Sequence, residues 1–366
     1  MKKDALPPIY SHTGLRGIAA MSVVLSHLTT MARTYVFCFQ ILNWADYAVD
    51  LFFILSGFIL NYVYLSRPES LNWTEYFKAR AARILPLYYL TLLLALPIDC
   101  YSLIKHGTQF VGPNFVSVVV QDFFLAGGVI SACSSNPPAW SISSEVFCYI
   151  FIFPPLAKLT GFLERLRFRW FFALIIIVLM SQVMIFLNSK THPFGWHWDC
   201  SSVGKGVSGF IAGYLCCLVY RTYQEPWISD RLVSLGLFLS VTLFVLAQLN
   251  ILYLHVLYVL PLIVYFSAFD RGIIARILKW DFFQWLGERS YSIYLWHYLV
   301  ITYFLGVFKS HSRMESYVQC TMAVALVGIV AELSYRYFEV PCRRRIRNLG
   351  LKHGRIGISA TPVRSS

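Results

Sequence analysis

Thr13-Gly-Leu-Arg16-Gly-Ile-Ala-Ala-Met-Ser-Val-Val-Leu-Ser-His27-Leu28 opens an apolar segment that runs to Ala32. Read as a helix, the eleven steps from Arg16 to His27 make three turns and return the imidazole to within about 20° of the guanidinium. The two groups share one face and stand about 16 Å apart at a rise of about 1.5 Å per residue. On a helix of bilayer length such groups are tolerated where they face a protein interior or a wet cavity, which makes them a candidate functional pair. The bland reading is a buried histidine bonded to a neighbouring helix and an arginine reaching back to the interface along its stem.

Composition puts that helix in a membrane. Of 366 residues 57% are hydrophobic and only 13% charged, against about 25% charged in soluble domains. Mean hydropathy is +0.59. The 29 Phe, 23 Tyr and 10 Trp suit interfacial belts. The expectation is an all-α, polytopic transmembrane helical bundle, with one integral domain over 1–342 and a basic, flexible cytoplasmic tail over 343–366.

The net charge of +13 does not indicate nucleic-acid binding. The cations sit in short blocks between apolar runs: Lys78/Arg80/Arg83, Arg165/Arg167/Arg169, Arg271/Arg276/Lys279 and Arg343/Arg344/Arg345/Arg347. Such blocks fix topology and touch anionic headgroups. The nine cysteines form no Cys-x-x-Cys pair, so neither a zinc site nor a disulfide framework is indicated. Cys100, Cys133 and Cys200 fall near expected outer loops and leave room for one disulfide. Lys2 and Lys3, followed by Pro7, Pro8 and the charged first segment, argue against a cleavable signal.

Apolar runs long enough to span, or nearly so, occur at about 13–32, 46–65, 84–104, 140–159, 169–188, 204–220, 232–249, 251–269, 289–308 and 316–338. An eleventh stretch, 114–130, is short and carries Gln121, Asp122, Gly127 and Gly128. Charge decides its status. If it spanned, alternate basic blocks would fall outside; if it does not, Lys2, Lys3 and all four blocks share one side. The positive-inside rule therefore predicts about ten spans, both termini cytoplasmic, and 114–130 as a re-entrant or interfacial piece.

That topology predicts depth. Arg16 lies near the cytoplasmic end of the first helix. His27, Asp50 near the start of the second, and Glu145 about one turn into the fourth then converge in the outer half. Asp50 or Glu145 could orient an imidazole there. Ser56-Gly57 reads as a close-packing site rather than a nucleophile. Arg80 and Arg83, three apart, share a helical face; they read as a stop-transfer cluster or, more sharply, as a phosphate clamp. In Pro137-Pro-Ala-Trp140-Ser141-Ile-Ser-Ser-Glu145, the prolines precede a helix entering from outside, Trp140 suits the interface and Ser141 could cap. The 188–202 loop, with His192, Trp196, His197, Trp198 and Asp199, matches no strong metal-ligand spacing. Tyr291-Ser-Ile-Tyr-Leu-Trp-His297 sets another histidine in mid-membrane, and Arg336 and Glu339 are expected to pair at i, i+3.

These segments resemble the acyltransferase 3 family of integral membrane acyltransferases over about 13–341. Leu15-Arg16-Gly-Ile-Ala-Ala with His27 is similar to the family's Arg-x₁₀-His opening. Val49-Asp50-Leu-Phe-Phe-Ile-Leu-Ser-Gly-Phe58, Arg80-x-x-Arg83 with Leu85-Pro86, Pro138-Ala-Trp140-Ser141-Ile-Ser-Ser-Glu145, Tyr291–His297 and Tyr337-Phe-Glu-Val-Pro341 resemble its further signatures in order. The resemblance implies an O-acyltransferase, commonly an O-acetyltransferase of glycans, in a bacterial cytoplasmic (inner) membrane. Its donor would be acyl-CoA, usually acetyl-CoA, serving as co-substrate with no bound cofactor or metal. It implies His27 as catalytic with Arg16 as companion, and Asp50 and Glu145 beside them. Arg80 and Arg83 would serve the donor, with Trp140, Ser141 and His297 in the binding set. Some members carry an extra extracytoplasmic hydrolase-like domain; none is expected within these residues. The competing reading is a secondary transporter or flippase using the same charges, against which no inverted repeat of broken helices is evident.

Overall fold

The computed structural model describes residues 6–31, 44–65, 71–106, 115–130, 134–165, 169–189, 201–222, 229–249, 256–308 and 313–349. The 188–202 loop from residue 190 to 200, with its His192, His197 and Asp199, lies outside them, as do Cys133 and Cys200.

The apolar runs fold into helices: α1 Tyr10–Met31, α2 Trp44–Leu65, α3 Trp73–His106, α4 Phe115–Phe123 and α5 Gly127–Ile130. There follow α6 Ala139–Leu163, α7 Arg169–Ser189, α8 Ser201–Thr222, α9 Asp230–Gln248, α10 Leu260–Ser267, α11 Gly272–Leu278, α12 Asp281–Glu288, α13 Ser290–Val307, α14 Arg313–Ser334 and α15 Val340–Asn348. The fold is all-α, with no strand among the described residues. Six of these stretches are long and apolar enough to cross a membrane. The outward faces of the helices carry Leu93, Ile104, Phe171, Val178, Leu232, Phe238 and Ile329, each largely exposed. In water such apolar surface would drive association; in hydrocarbon it is the required solvent face. The chain is an integral membrane protein.

The 114–130 stretch forms no continuous crossing. The nine-residue α4 covers only about 14 Å before the chain breaks at Leu125, whose φ of 53° is the left-handed turn that ends it.

Missing side chains allow the closest helix contacts. A Cβ on Gly57 would lie 1.9 Å from the Phe210 carbonyl oxygen, and one on Gly213 would lie 1.8 Å from that of Ile54. The backbones of α2 and α8 therefore meet directly, as small residues permit within a bilayer. Gly57 does the packing expected of Ser56-Gly57, while Ser56 has a different role. α1 meets α12 similarly, Gly287 lying where a Cβ would come within 2.0 Å of the Thr13 carbonyl. Ala20, Val24 and Leu28 of α1 and Ala323, Val327 and Ala331 of α14 are buried in a second cluster with Ile293 and Ile301 of α13.

Two wide π-helical turns interrupt the long helices, at Cys148–Ile152 within α6 and Tyr335–Glu339 before α15. Each lies directly ahead of proline, Pro154-Pro155 and Pro341. A proline has no N–H to donate and its ring crowds the carbonyl four residues back; an extra residue in the turn relieves that clash. The second turn corrects one expectation. Glu339 does not pair with Arg336; it turns inward, 3% exposed, and accepts from Ser292 Oγ at 2.7 Å. Arg336 instead pairs with Glu332, which also binds Arg289. Past Arg343, the described residues Arg343–Asn348 continue as α15 against α3, where Lys78 Nζ donates to the Leu349 carbonyl.

Contacts at one end of the bundle bring Lys279 and Arg221 close to the start of α1. Tyr62 OH donates to the Pro7 carbonyl at 3.0 Å, and Ser11 N donates to Asp270 Oδ1 at 2.8 Å. Lys279 pairs with Asp270 at 3.2 Å. Arg221 bridges Glu164 at 3.0 Å and Asn61 at 3.1 Å.

Candidate active site

α1 carries Arg16 and His27 on the face turned toward α13, and the two do separate work. His27 meets the second histidine: His297 Nε2 lies 3.3 Å from His27 Nδ1, with ring centroids 5.2 Å apart. His297 is fully buried, its Nδ1 3.3 Å from the Ile293 carbonyl, and Tyr298 edges onto the His27 ring at 5.8 Å. Asp50 is completely buried at the same level. It stands two residues, about 3 Å of rise, beyond Phe52, whose ring meets Tyr294 at 5.8 Å. Tyr294 in turn meets His297 at 5.8 Å.

Arg16 faces a cavity among α1, α2, α3, α6 and α13. Its polar lining is Arg16, Arg83, Glu145, Ser56, Ser141 and the hydroxyl-bearing residues Ser290, Tyr291 and Tyr294; Phe52, Phe53 and Ile142 supply apolar wall. Ser56 Oγ and Tyr149 OH both donate to Glu145 Oε1 in short hydrogen bonds. That leaves two guanidiniums facing one carboxylate already engaged by hydroxyls, an arrangement that attracts anions.

Glu145 therefore belongs with Arg16, which corrects the expected meeting with His27 in the outer half. The reason is where α6 begins. Asn136 Nδ2 donates to the Leu295 carbonyl at 3.0 Å and Ser141 Oγ pairs with Tyr294 OH at 2.8 Å. The prolines thus open the helix at the level of the histidines, not at a bundle end. Glu145, four residues past Ser141, lies about 6 Å further toward Arg16 by helical rise.

The remaining expected residues divide. Arg83 lines the cavity, but Arg80 lies over the rings of Tyr64 and Tyr149 at 5.6 and 5.7 Å, so the pair is not one clamp. Ser141 does not cap α6; it donates to the Pro138 carbonyl at 3.1 Å. Trp140 packs on Phe53 at 6.4 Å, outside the cavity lining. Tyr149 and Tyr294 are the residues sequence reasoning missed. Their signal was present, since each lies four or three residues from a singled-out group on the same helix face.

The chain is 24% identical over 367 residues to the O-acetyltransferase OatA of Staphylococcus aureus, covering 91% of this chain and 57% of that one. It is 26% identical over 362 residues to the candidate peptidoglycan O-acetyltransferase YrhL of Bacillus subtilis, covering 90% and 54%. It thus spans little more than half the length of these curated relatives. No solved structure matches. The acyltransferase domain model extends over residues 9–332, from the turn ahead of Arg16 to the glutamate that anchors Arg289, and so takes in the histidine pair and the whole charged cavity: the chain belongs to the acyltransferase 3 family.

Proposed function

We propose that this protein is a membrane-embedded O-acetyltransferase that passes an acetyl group from acetyl-CoA to a hydroxyl of a glycan. The observation that carries the reading is the separation of two stations along α1. A cationic cavity holds Arg16 and Arg83, and a histidine pair stands about three helical turns beyond it. Donor phosphates bind the guanidiniums, and the pantetheine arm extends past Tyr294 to the imidazoles.

At His27 the acceptor hydroxyl gives its proton to the imidazole as its oxygen attacks the thioester carbonyl. The new C–O bond forms, the C–S bond breaks, and the proton passes on to the departing thiolate. Asp50, at the histidine level, is the carboxylate suited to orient His27; Glu145 serves the donor end. The basic end of the bundle faces the cytoplasm, where acyl-CoA is made, with both termini there and about ten crossings of a bacterial inner membrane. The glycan reading follows from the relatives' names, one of which specifies peptidoglycan.

The test is transfer from radiolabelled acetyl-CoA in membranes expressing wild type or His27→Ala. Label should enter the polysaccharide or peptidoglycan fraction with wild type only. Equal labelling by H27A overturns the assignment of His27. Movement of a glycan across the membrane without label would support a transporter instead.

A further inference from the structure

The hydrogen bonds of His297 determine which nitrogen of His27 can do chemistry. The backbone carbonyls that face the pair accept and never donate. His297 Nδ1, 3.3 Å from the Ile293 carbonyl, therefore carries its proton there, which leaves Nε2 of the neutral ring as an acceptor. That Nε2 faces His27 Nδ1 at 3.3 Å. His27 Nδ1 also lies 3.1 Å from the Val23 carbonyl. Two acceptors, one imidazole nitrogen and one carbonyl, thus hold a proton on His27 Nδ1. Nε2 is then the nitrogen whose proton comes and goes.

We propose that His297 is a positioning residue: by accepting from Nδ1–H it fixes the tautomer and ring orientation of His27, so that Nε2 is presented to the acceptor hydroxyl. This inference rests on His27 being the catalytic base. It replaces a donor-binding role for His297, which is fully buried and outside the cavity lining. Hydrogen bonds of this kind set which imidazole nitrogen acts in metal sites and acid–base pairs alike.

Two substitutions separate positioning from bulk. Glutamine reaches as far as the imidazole Nε2 and can set a carbonyl oxygen against His27. Asparagine reaches only as far as Nδ1 and leaves His27 facing a gap. With radiolabelled acetyl-CoA as donor, His297→Asn should lower kcat on the order of 10- to 100-fold, as loss of an orienting partner does elsewhere, with donor KM unchanged. His297→Gln should recover most of that loss. Equal damage from both variants, or a rise in KM with kcat intact, overturns the proposal. A second measurement needs no His297 variant. In ¹⁵N-histidine-labelled wild type, with the His27 signals identified by their absence from H27A, Nδ1 should appear protonated at neutral pH. The opposite tautomer overturns the inference whatever the kinetics. If instead H27A retains transfer, it is the catalytic reading of His27 that fails, and the tautomer measurement still reports on the pair.

Discussion

Arg80 and Arg83 look equivalent in sequence, three residues apart on one helix, and their surroundings separate them. Arg83 faces the cavity with Arg16. Arg80 lies between two tyrosine rings, its Nε is buried without a hydrogen-bond partner, and its guanidinium is held by cation–π contact and one long hydrogen bond to Tyr64 OH at 3.4 Å. Arg83→Ala should therefore raise the KM for acetyl-CoA tenfold or more, the effect of losing one charge-assisted hydrogen bond of about 1.5–3 kcal/mol. Arg80→Ala should act first on stability, lowering the melting temperature of the purified protein through loss of contacts of about 0.5–2 kcal/mol each. Comparing donor KM with melting temperature for the two variants checks the division; equal KM effects would restore the single clamp. The periodicity that aligns i with i+3 leaves about 60° between them, enough to send one side chain into the cavity and the other under the rings. No pattern in the sequence chooses which.

At the level of elements, the helices were legible because bilayer length and apolar runs specify them. The levels at which they begin were less so. Hydropathy located α6, but the meeting of Asn136 with Leu295 depends on tertiary contact, and it moved Glu145 from one station to the other. The wide turns were legible only indirectly, through Pro154-Pro155 and Pro341, because a periodic pattern does not reveal an inserted residue. Close approach is the other element-scale determinant. Gly57→Ala and Gly213→Ala each force a methyl onto a backbone oxygen of the opposing helix, at 1.9 and 1.8 Å before relaxation. Each should cost on the order of 1–3 kcal/mol or more by overpacking, read as a lower melting temperature in detergent. The double variant should lose less than the sum, since both push apart the same pair of helices. Gly306→Ala, with nothing within 4 Å of the added methyl, should match wild type or gain about 1 kcal/mol of helix propensity. A loss as large as that of G57A would remove the packing argument.

For the whole molecule, the orientation in the membrane decides which side supplies the donor. The start of α1 is tied to Asp270, that loop to Lys279, Asp230 to Arg271 at 3.0 Å, and Lys78 to the end of α15. Cations from separate blocks thus share one end, and the negative surface of a cytoplasmic leaflet favours that end inside by about 1 kcal/mol per cation near the surface. Single cysteines at Ser229, Arg271 and Arg344 should therefore resist a membrane-impermeant maleimide in intact cells and react after permeabilisation. A cysteine at Phe308, which is exposed at the far end of α13, should react in intact cells; all nine native cysteines are replaced by serine in every variant. A split among the first three would break the one-end arrangement itself. Reversal of the whole pattern would leave the fold intact but turn the Arg16–Arg83 cavity outward, where acyl-CoA is absent, and the donor would then have to be an acyl carrier of another class.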